Sequence, residues 1–204
     1  MIYKEIEEIQ NVIIQENNEE NDIIEYKFKN CDECINTEKV EIKNCIFENC
    51  KCLESKFINV YFTNVIFTDC DFSNTNFNES NFVGCNFSNC KFIGASFLDT
   101  NFYRTRISQS NLEYSNLSNS SMKDTVFEED NFAMSAFGEC KLKNIKFIES
   151  NLYKAQMFRT ELKNIDFRTC NIEGMVIDKD DLKGVIVNQF QAVELSKLLG
   201  IIVK

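Results

Sequence analysis

The sequence predicts an all-β solenoid, a chain wound into stacked coils. From Ile42 to Val187 every fifth residue is apolar, which gives 30 central positions without insertion or deletion. Helices and strands have apolar periods of 3.6 and 2, so a period of five requires a turn between inward-pointing residues. Ten consecutive central positions are phenylalanine and form the predicted core: Phe57, Phe62, Phe67, Phe72, Phe77, Phe82, Phe87, Phe92, Phe97 and Phe102.

A second inward position, here called the small position, stands two residues before each central residue. Cys70, Thr75, Ser80 and Cys85 are examples, and the remaining three positions of each unit are mostly polar. Asn and Ser tolerate tight turns and bond to their own backbone, so the polar positions predict repeated corners. Successive coils would then hydrogen-bond about 4.8 Å apart, and stacked phenylalanines would fill the interior.

The two ends leave this pattern. Residues 1–41 are predicted to be an acidic N-terminal cap with an imperfect first coil, and they carry 4 basic and 12 acidic side chains. The secondary structure of this cap stays open between helix and strand. One group of residues could line a helical face and another alternates as in a strand: Ile6, Ile9, Val12 and Ile13 for the helix, and Ile24, Tyr26 and Phe28 for the strand.

Residues 188–204 are predicted to form a short helix followed by a strand. Asn188 is a suitable N-cap, Gly200 a suitable helix end, and Ile201–Val203 a suitable strand. An apolar helix at the end of a solenoid must cover the last coil or bind a partner. The chain is therefore expected to have three parts: residues 1–41, an uninterrupted repeat body over 42–187, and a capping or dimerisation segment over 188–204.

Composition disfavours several classes of function. The chain has no histidine, so no Ser-His or Cys-His pair can form, and we expect no enzymatic activity, catalytic residue, metal or cofactor. Cys31, Cys34, Cys50 and Cys52 could supply thiolates to zinc, but their loose spacing favours packing. No signal peptide and no membrane span are recognisable, so the expected location is the cytoplasm. Strong binding to nucleic acid is not expected at a net charge of −10.

The repeat unit resembles that of the pentapeptide-repeat family, A-(D/N)-L-x-x with Phe often replacing Leu. Ser80-Asn81-Phe82-Val83-Gly84 and Ser110-Asn111-Leu112-Glu113-Tyr114 carry the resemblance. It implies a right-handed quadrilateral β-helix with 20 residues per coil, hence about seven coils in the body. Two columns recur at a spacing of 20, as a four-sided coil requires: Asn111, Asn131, Asn151 and Asn171, and Lys123, Lys143, Lys163 and Lys183.

Outward charged columns are the candidate binding surfaces. Six acidic residues are candidates to face a partner: Asp69, Glu79, Asp99, Glu129, Glu139 and Glu149. Such columns on a rod could imitate the phosphate rows of a duplex, or simply keep the surface soluble. The column of Lys123, Lys143, Lys163 and Lys183 could bind an anion or an acidic partner, or belong to a mixed charged face.

The C-terminal segment is similar to the ending of the quinolone-resistance branch of the family. This resemblance implies a DNA-mimicking protein that binds a type II topoisomerase, DNA gyrase or topoisomerase IV, and protects it from quinolones. It also implies a homodimer joined tail to tail through Phe190, Val193, Leu195, Leu198, Leu199 and Ile201. The alternative is a scaffold that binds another protein through one face of the solenoid.

Overall fold

A computed structural model of the protein describes residues 3–18 and 22–203. The helices are α1 (Ile9–Asn18), α2 (Gln189–Ser196) and a 3-10 turn (Lys197–Leu199). The strands are β1 (Lys4–Ile6), β2 (Ile23–Ile24), β3 (Tyr26–Lys29), β4 (Asn36–Glu38), β5 (Glu41–Lys43), β6 (Ile46–Glu48), β7 (Lys56–Ile58), β8 (Tyr61–Thr63), β9 (Ile66–Thr68), β10 (Asn81–Val83), β11 (Asn86–Ser88), β12 (Asn101–Tyr103), β13 (Arg106–Ser108), β14 (Ser121–Lys123), β15 (Val126–Glu128), β16 (Lys141–Lys143), β17 (Lys146–Ile148), β18 (Gln156–Met157) and β19 (Val176–Ile177).

The strands pair in parallel with partners one coil away. Phe82 of β10 pairs with Phe62 of β8 and Phe102 of β12, so one coil takes 20 residues and has four faces. One face is an eight-stranded sheet from β1 to β17, and the next is a seven-stranded sheet from β2 to β16. Short strands and single bridges line the other two faces. The predicted fold class is confirmed, with about eight coils because the N-terminal segment adds to the seven of the body.

The interior is filled by the central residues. All ten phenylalanines of the predicted core are buried. Rings one coil apart are nearly parallel, with centroids 4.5 Å apart for Phe67 and Phe87. Rings on neighbouring faces of one coil meet edge to face, as for Phe62 and Phe67 at 5.7 Å. Both geometries suit the quadrupoles of aromatic rings, so each phenylalanine is held by its own coil and by the next.

Side chains at the small positions leave room for the phenylalanine rings and also form hydrogen bonds. The hydroxyl of Ser80 donates to the carbonyl oxygen of Phe57 at 2.7 Å and accepts from the backbone N–H of Val60 at 3.0 Å. Thr100 and Ser120 repeat the donated bond to Phe77 and Phe97. A buried carbonyl left without a donor is costly, so these hydroxyls stabilise the stacking of coils.

The N-terminal segment contains both a helix and strands. α1 buries Ile9, Val12 and Ile13, and the carboxylate of Glu33 accepts the backbone N–H of Ile9 at 2.9 Å. Ile6 lies in β1 instead of the helix, because the chain turns before α1 begins.

The expected strand is present as β3, with Tyr26 and Phe28 buried. Ile24 breaks the expected alternation because it is exposed at the end of β2. Phe28 pairs with Phe47, nineteen residues later, so the first coil is one residue shorter than the others.

The backbone ladder is interrupted near the C-terminal end on two adjacent faces. β16 and β17 are the last strands of the two large sheets. One coil earlier, the N–H of Lys146 donates to the carbonyl of Thr125 at 3.1 Å, but Asp166 makes no equivalent bond to Ile145 in the described chain. The other two faces stay paired, through Asn151 with Asn171 and β18 with β19. The coils of residues 141–149 and 161–169 therefore separate on one side only.

Two bulky residues occupy consecutive small positions at the interruption, and we infer that their size causes it. Ile145 and Ile165 occupy this position in consecutive coils, where other coils have Thr105 and Thr125. Both isoleucines are buried, and large side chains in a close-packed interior displace the backbone. Leu142, at a central position beside them, is only partly buried, which is consistent with a local separation of the coils.

Candidate interaction surfaces

Every unit ends in a corner position, two residues after the central one, and this position has a left-handed backbone from Asn44 to Asn164. Asn44, Asn64 and Asn119 have φ angles of 52°, 52° and 60° there. Asn and Gly tolerate this region best, which explains the frequent Asn at this spacing. All six acidic candidates occupy corner positions with positive φ: Asp69, Glu79, Asp99, Glu129, Glu139 and Glu149. They lie along two edges of the rod, where side chains point into solvent.

The edge of Asp69, Glu129 and Glu149 is not uniformly acidic. Asn89 lies in the next coil and donates its side-chain N–H to Asp69 at 2.6 Å. Gln109 does the same to Glu129 at 3.0 Å. Two amides therefore separate the carboxylate of Asp69 from that of Glu129, and only Glu129 and Glu149 are consecutive along this edge.

The edge of Glu79, Asp99 and Glu139 is also mixed. Glu79 and Asp99 lie in consecutive coils, and Asn119 separates them from Glu139. The guanidinium of Arg159 lies 2.8 Å from the carboxylate of Glu139. Negative charge on this edge is concentrated at Glu79 and Asp99.

The lysine column is split by the interruption of the ladder. Lys123 pairs in register with Lys143, and its ammonium group lies 5.1 Å from the ring centroid of Tyr103. Lys163 lies beyond the interruption, against Gly184 of the following coil. The four lysines share one face, but they are not evenly stacked, because the coils separate between Lys143 and Lys163.

A continuous column of amides runs along a different face. Asn131, Asn151 and Asn171 each donate a side-chain N–H to the asparagine one coil earlier, at 3.2, 2.9 and 2.9 Å. Asn111 closes the column, so the 20-residue spacing seen in the sequence corresponds to direct contact. This ladder stabilises the stacking of coils and leaves few free amide groups for a partner.

The C-terminal helix docks through a polar residue. Asn188 caps α2 and forms a capping box with Gln191, as its position in the sequence indicates. Gln191 is buried and donates to the carbonyls of Phe167 at 2.7 Å and Cys170 at 2.8 Å. The pattern Asn-x-x-Gln carries the signal for this contact, which the apolar spacing of the helix does not reveal.

Docking through Gln191 leaves the apolar side of this segment in solvent. The exposed fraction is 77% for Phe190 and 60% for Leu199, and Val193, Leu198 and Ile201 are also exposed. Leu195 differs from them because it is partly buried against the core of its own chain. The strand expected at Ile201–Val203 is wrong: these residues are exposed, have no regular secondary structure and pair with no strand in the described chain.

The cysteines behave as small buried groups. Nine of the ten lie inside as free thiols, and Cys34 is exposed. Burial raises the pKa of the Cys85 and Cys140 thiols to about 12, so both are neutral at pH 7. Among the described residues, no three Cys, Asp or Glu side chains are close enough to hold a metal ion.

Comparison with known proteins places the chain in a family. A family model described as Pentapeptide repeat region matches residues 40–117 and 80–157. The chain belongs to the pentapeptide repeat family. No curated protein sequence matches it significantly. Within the described residues of this pentapeptide repeat protein, no helix is long and apolar enough to cross a membrane.

Several solved pentapeptide repeat structures are similar in fold. Full-length QnrB1, a plasmid-mediated fluoroquinolone resistance protein, is 19% identical in sequence, with a TM-score of 0.47. The match covers 89% of this chain and 91% of the QnrB1 chain. HetL, involved in heterocyst differentiation regulation in the cyanobacterium Nostoc, is 12% identical, with a TM-score of 0.46. The match covers 87% of this chain and 96% of the HetL chain. A pentapeptide repeat protein of the Arabidopsis thaliana thylakoid lumen is 20% identical, with a TM-score of 0.30. The match covers 63% of this chain and 72% of the Arabidopsis chain.

Proposed function

We propose that this pentapeptide repeat protein is a non-catalytic interaction protein that binds another protein through its outward side chains. The filled interior supports this proposal, because the stacked phenylalanines leave the core no room for a substrate. Most of the charged side chains along the rod stand at the three outward positions of each unit. Recognition therefore depends on the edges and faces described above.

In its specific form, the proposal names a type II topoisomerase as the partner, bound by imitation of DNA. Two pairs of consecutive acidic corners support it, Glu79 with Asp99 and Glu129 with Glu149, because such pairs space carboxylates regularly along an edge. The net charge of −10 acts in the same direction. Quinolone protection of DNA gyrase or topoisomerase IV follows if the bound protein competes with DNA.

A gyrase supercoiling assay with and without a quinolone tests the specific form. The chain should inhibit supercoiling or relieve the inhibition that the quinolone causes. The variant Glu79→Gln/Asp99→Asn should weaken this effect about tenfold. Amides already occupy corner positions at Asn119 and Gln109, so the fold tolerates both changes. The matched control, Glu113→Gln/Glu173→Gln, removes the same charge from another face and should act as the unmodified chain. An unmodified chain without effect on either topoisomerase rejects DNA mimicry.

The scaffold alternative is favoured by the composition of the acidic edges. Asn89, Gln109 and Asn119 interrupt them, and Arg159 neutralises Glu139. A scaffold would bind a partner without competing with DNA. A chain that leaves both topoisomerases unaffected, yet captures a protein only with Glu79 and Asp99 intact, would support this alternative.

We also propose that the protein forms a homodimer through its C-terminal segment. Phe190 and Leu199 should become buried against a second copy of the chain, since their exposure to solvent is unusual for large apolar side chains. Phe190→Ser/Leu199→Ser should halve the mass measured by size-exclusion chromatography with light scattering. Ile14→Ser/Tyr114→Ser changes two apolar residues that are exposed elsewhere and should leave the mass unchanged. A monomeric unmodified chain rejects the dimer.

A further inference from the structure

The interruption of the ladder opens a cleft of about 830 Å³ between two coils. Ile145 and Phe147 form its floor and are buried, whereas Ile186 on its rim is exposed. The polar rim consists of Asn144, Lys146, Asn164, Asp166, Arg168 and Thr169. The cleft is thus an apolar slot bordered by charged side chains. It is lined by none of the acidic corners, but Glu149 adjoins it because its backbone N–H donates to the hydroxyl of Thr169 at 3.1 Å.

Both walls of the cleft present unpaired backbone groups. On one wall the N–H groups of Asn144 and Phe147 have no hydrogen-bond partner among the described residues. On the other wall the same is true of the N–H of Asp166. In intact coils these groups form the ladder, as Asp124 does with the carbonyl of Lys143 at 3.0 Å. Two open edges that face each other can accept an additional strand between them.

The two coils that border the cleft carry an excess of positive charge that is not neutralised locally, and Lys146 of this group lines the cleft itself. Residues 140–149 and 160–169 contain five basic and three acidic side chains. Arg168 is paired with Asp166 at 2.7 Å. The other four bases are exposed, and none has a carboxylate within 4.0 Å in the described chain: Lys141, Lys143, Lys146 and Lys163. This part of an acidic protein complements a negatively charged ligand.

We propose that the cleft binds an extended acidic segment of a partner protein as an inserted β-strand. The backbone of the segment completes the ladder with Asn144, Phe147 and Asp166. Its apolar side chains cover Ile145 and Phe147, and its carboxylates lie beside Lys146 on the rim and Lys163, which precedes the rim residue Asn164. The residues that line the cleft do not include Glu79 and Asp99, which the supercoiling assay tests, so the outcome of that assay does not decide it.

A capped heptapeptide of alternating glutamate and valine is a suitable probe. Titrated into the ¹⁵N-labelled full chain, it should shift the amide resonances of Asn144, Phe147 and Asp166 saturably. The amides of Leu152 and Lys154 are already bonded to the next coil, at 2.7 and 2.9 Å, and should not shift. Shifts confined to other parts of the rod, or no shifts at all, overturn the proposal.

Two peptides of the same length separate charge from strand insertion. A peptide of alternating glutamate and proline keeps the charge but has no backbone N–H at its proline positions, so it should bind at least tenfold more weakly. Alternating lysine and valine keeps the strand propensity but reverses the charge, and it should not bind. Equal binding of the proline peptide overturns strand insertion, and equal binding of the lysine peptide overturns the acidic partner.

Variants of the full chain locate the charge effect. Lys146→Glu/Lys163→Glu should weaken binding of the glutamate-valine peptide about tenfold. Lys56→Glu/Lys91→Glu makes the same change of charge at two exposed lysines on other faces and should change affinity less than about twofold. Equal losses in both variants would overturn the assignment of the carboxylates to the cleft.

The exposed C-terminal residues Ile201–Val203 are the competing occupant. Amide exchange of Asn144 and Phe147 should be fast in the full chain without peptide and slow at least tenfold when the glutamate-valine peptide is bound. Slow exchange in the free full chain that becomes fast in a variant ending at Gly200 would place the tail in the cleft and overturn the acidic partner. Slow exchange in both forms would show a closed cleft and also overturn the proposal.

Discussion

The middle of the rod and its C-terminal coils share one repeat but differ in how closely the coils stack. In the middle, Phe77 and Phe97 stack with centroids 5.1 Å apart and planes 7° from parallel. Near the C-terminus, Phe147 and Phe167 are 5.6 Å apart and tilted by 33°. The apolar period determines which residues point inward, whereas matched rings and small neighbours determine the spacing between coils.

Removing one ring from each region should give the largest difference. Phe97→Ala should cost about 3–5 kcal/mol of unfolding free energy, because Phe97 contacts rings in its own coil and in the coil before it. Phe167→Ala should cost about 1–2 kcal/mol less, because its aromatic contact is the tilted one with Phe147. Urea unfolding followed by circular dichroism measures both. Equal losses would mean that ring stacking does not distinguish the two regions.

A buried carboxylate should make the C-terminal half sensitive to pH. Asp130 occupies the small position in a column where the middle coils have Cys70 and Cys90, and burial raises its pKa to about 8. The backbone N–H of Ser110 donates to it at 2.8 Å and opposes this shift. The folded state therefore binds more protons than the unfolded state between about pH 4 and pH 8, and stability falls as pH rises through that window.

Asp130→Ser should remove this dependence, because Ser110 and Ser150 occupy the same column one coil before and after. We expect the variant to gain roughly 2–4 kcal/mol of unfolding free energy at pH 8 and little at pH 4. Chemical unfolding at both pH values measures the gain. Glu129→Gln removes the adjacent exposed carboxylate and should not produce this change. A pH dependence that survives in Asp130→Ser would exclude Asp130 as its source.

The smallest expected effect concerns the interruption itself. Ile165→Thr should let the coils approach, since threonine occupies this position in intact coils. The amides of Phe147 and Asp166 should then exchange at least tenfold more slowly, while the total stability changes by less than about 1 kcal/mol. Val60→Thr, at a small position with an intact ladder, should not slow any amide. Unchanged exchange in Ile165→Thr would remove isoleucine size as the cause of the interruption.

The sequence predicts the coil well because one side chain in five carries the signal. The central series indicated which side chains point inward. The family resemblance implied a coil of 20 residues, and the columns of Asn131 and Asn151 agreed with that length. The interruption was not predicted because Leu142 and Leu162 keep the central series intact. Its signal lies in Ile145 and Ile165, whose size matters only once they are known to stack.

The candidate surfaces were harder to predict than the core. The positions of the acidic corners follow from the spacing of 20, but their charge depends on neighbours one coil away. Asn89 beside Asp69 and Arg159 beside Glu139 are readable in the sequence only when the coil is assumed. The docking of α2 through Gln191 was missed because the interpretation of this helix rested on its apolar residues, such as Phe190 and Val193, which were expected to cover the last coil or to bind a partner.

The one-sided separation of coils has a consequence for how the rod unfolds. In a solenoid each coil contacts only its neighbours, so stability is nearly a sum over successive interfaces. The interface between residues 141–149 and 161–169 keeps its backbone bonds on two faces of four. We expect the residues from 161 onward to melt as a separate cooperative unit, before the phenylalanine-filled coils. The protein would then be two foldons of unequal stability along one continuous repeat.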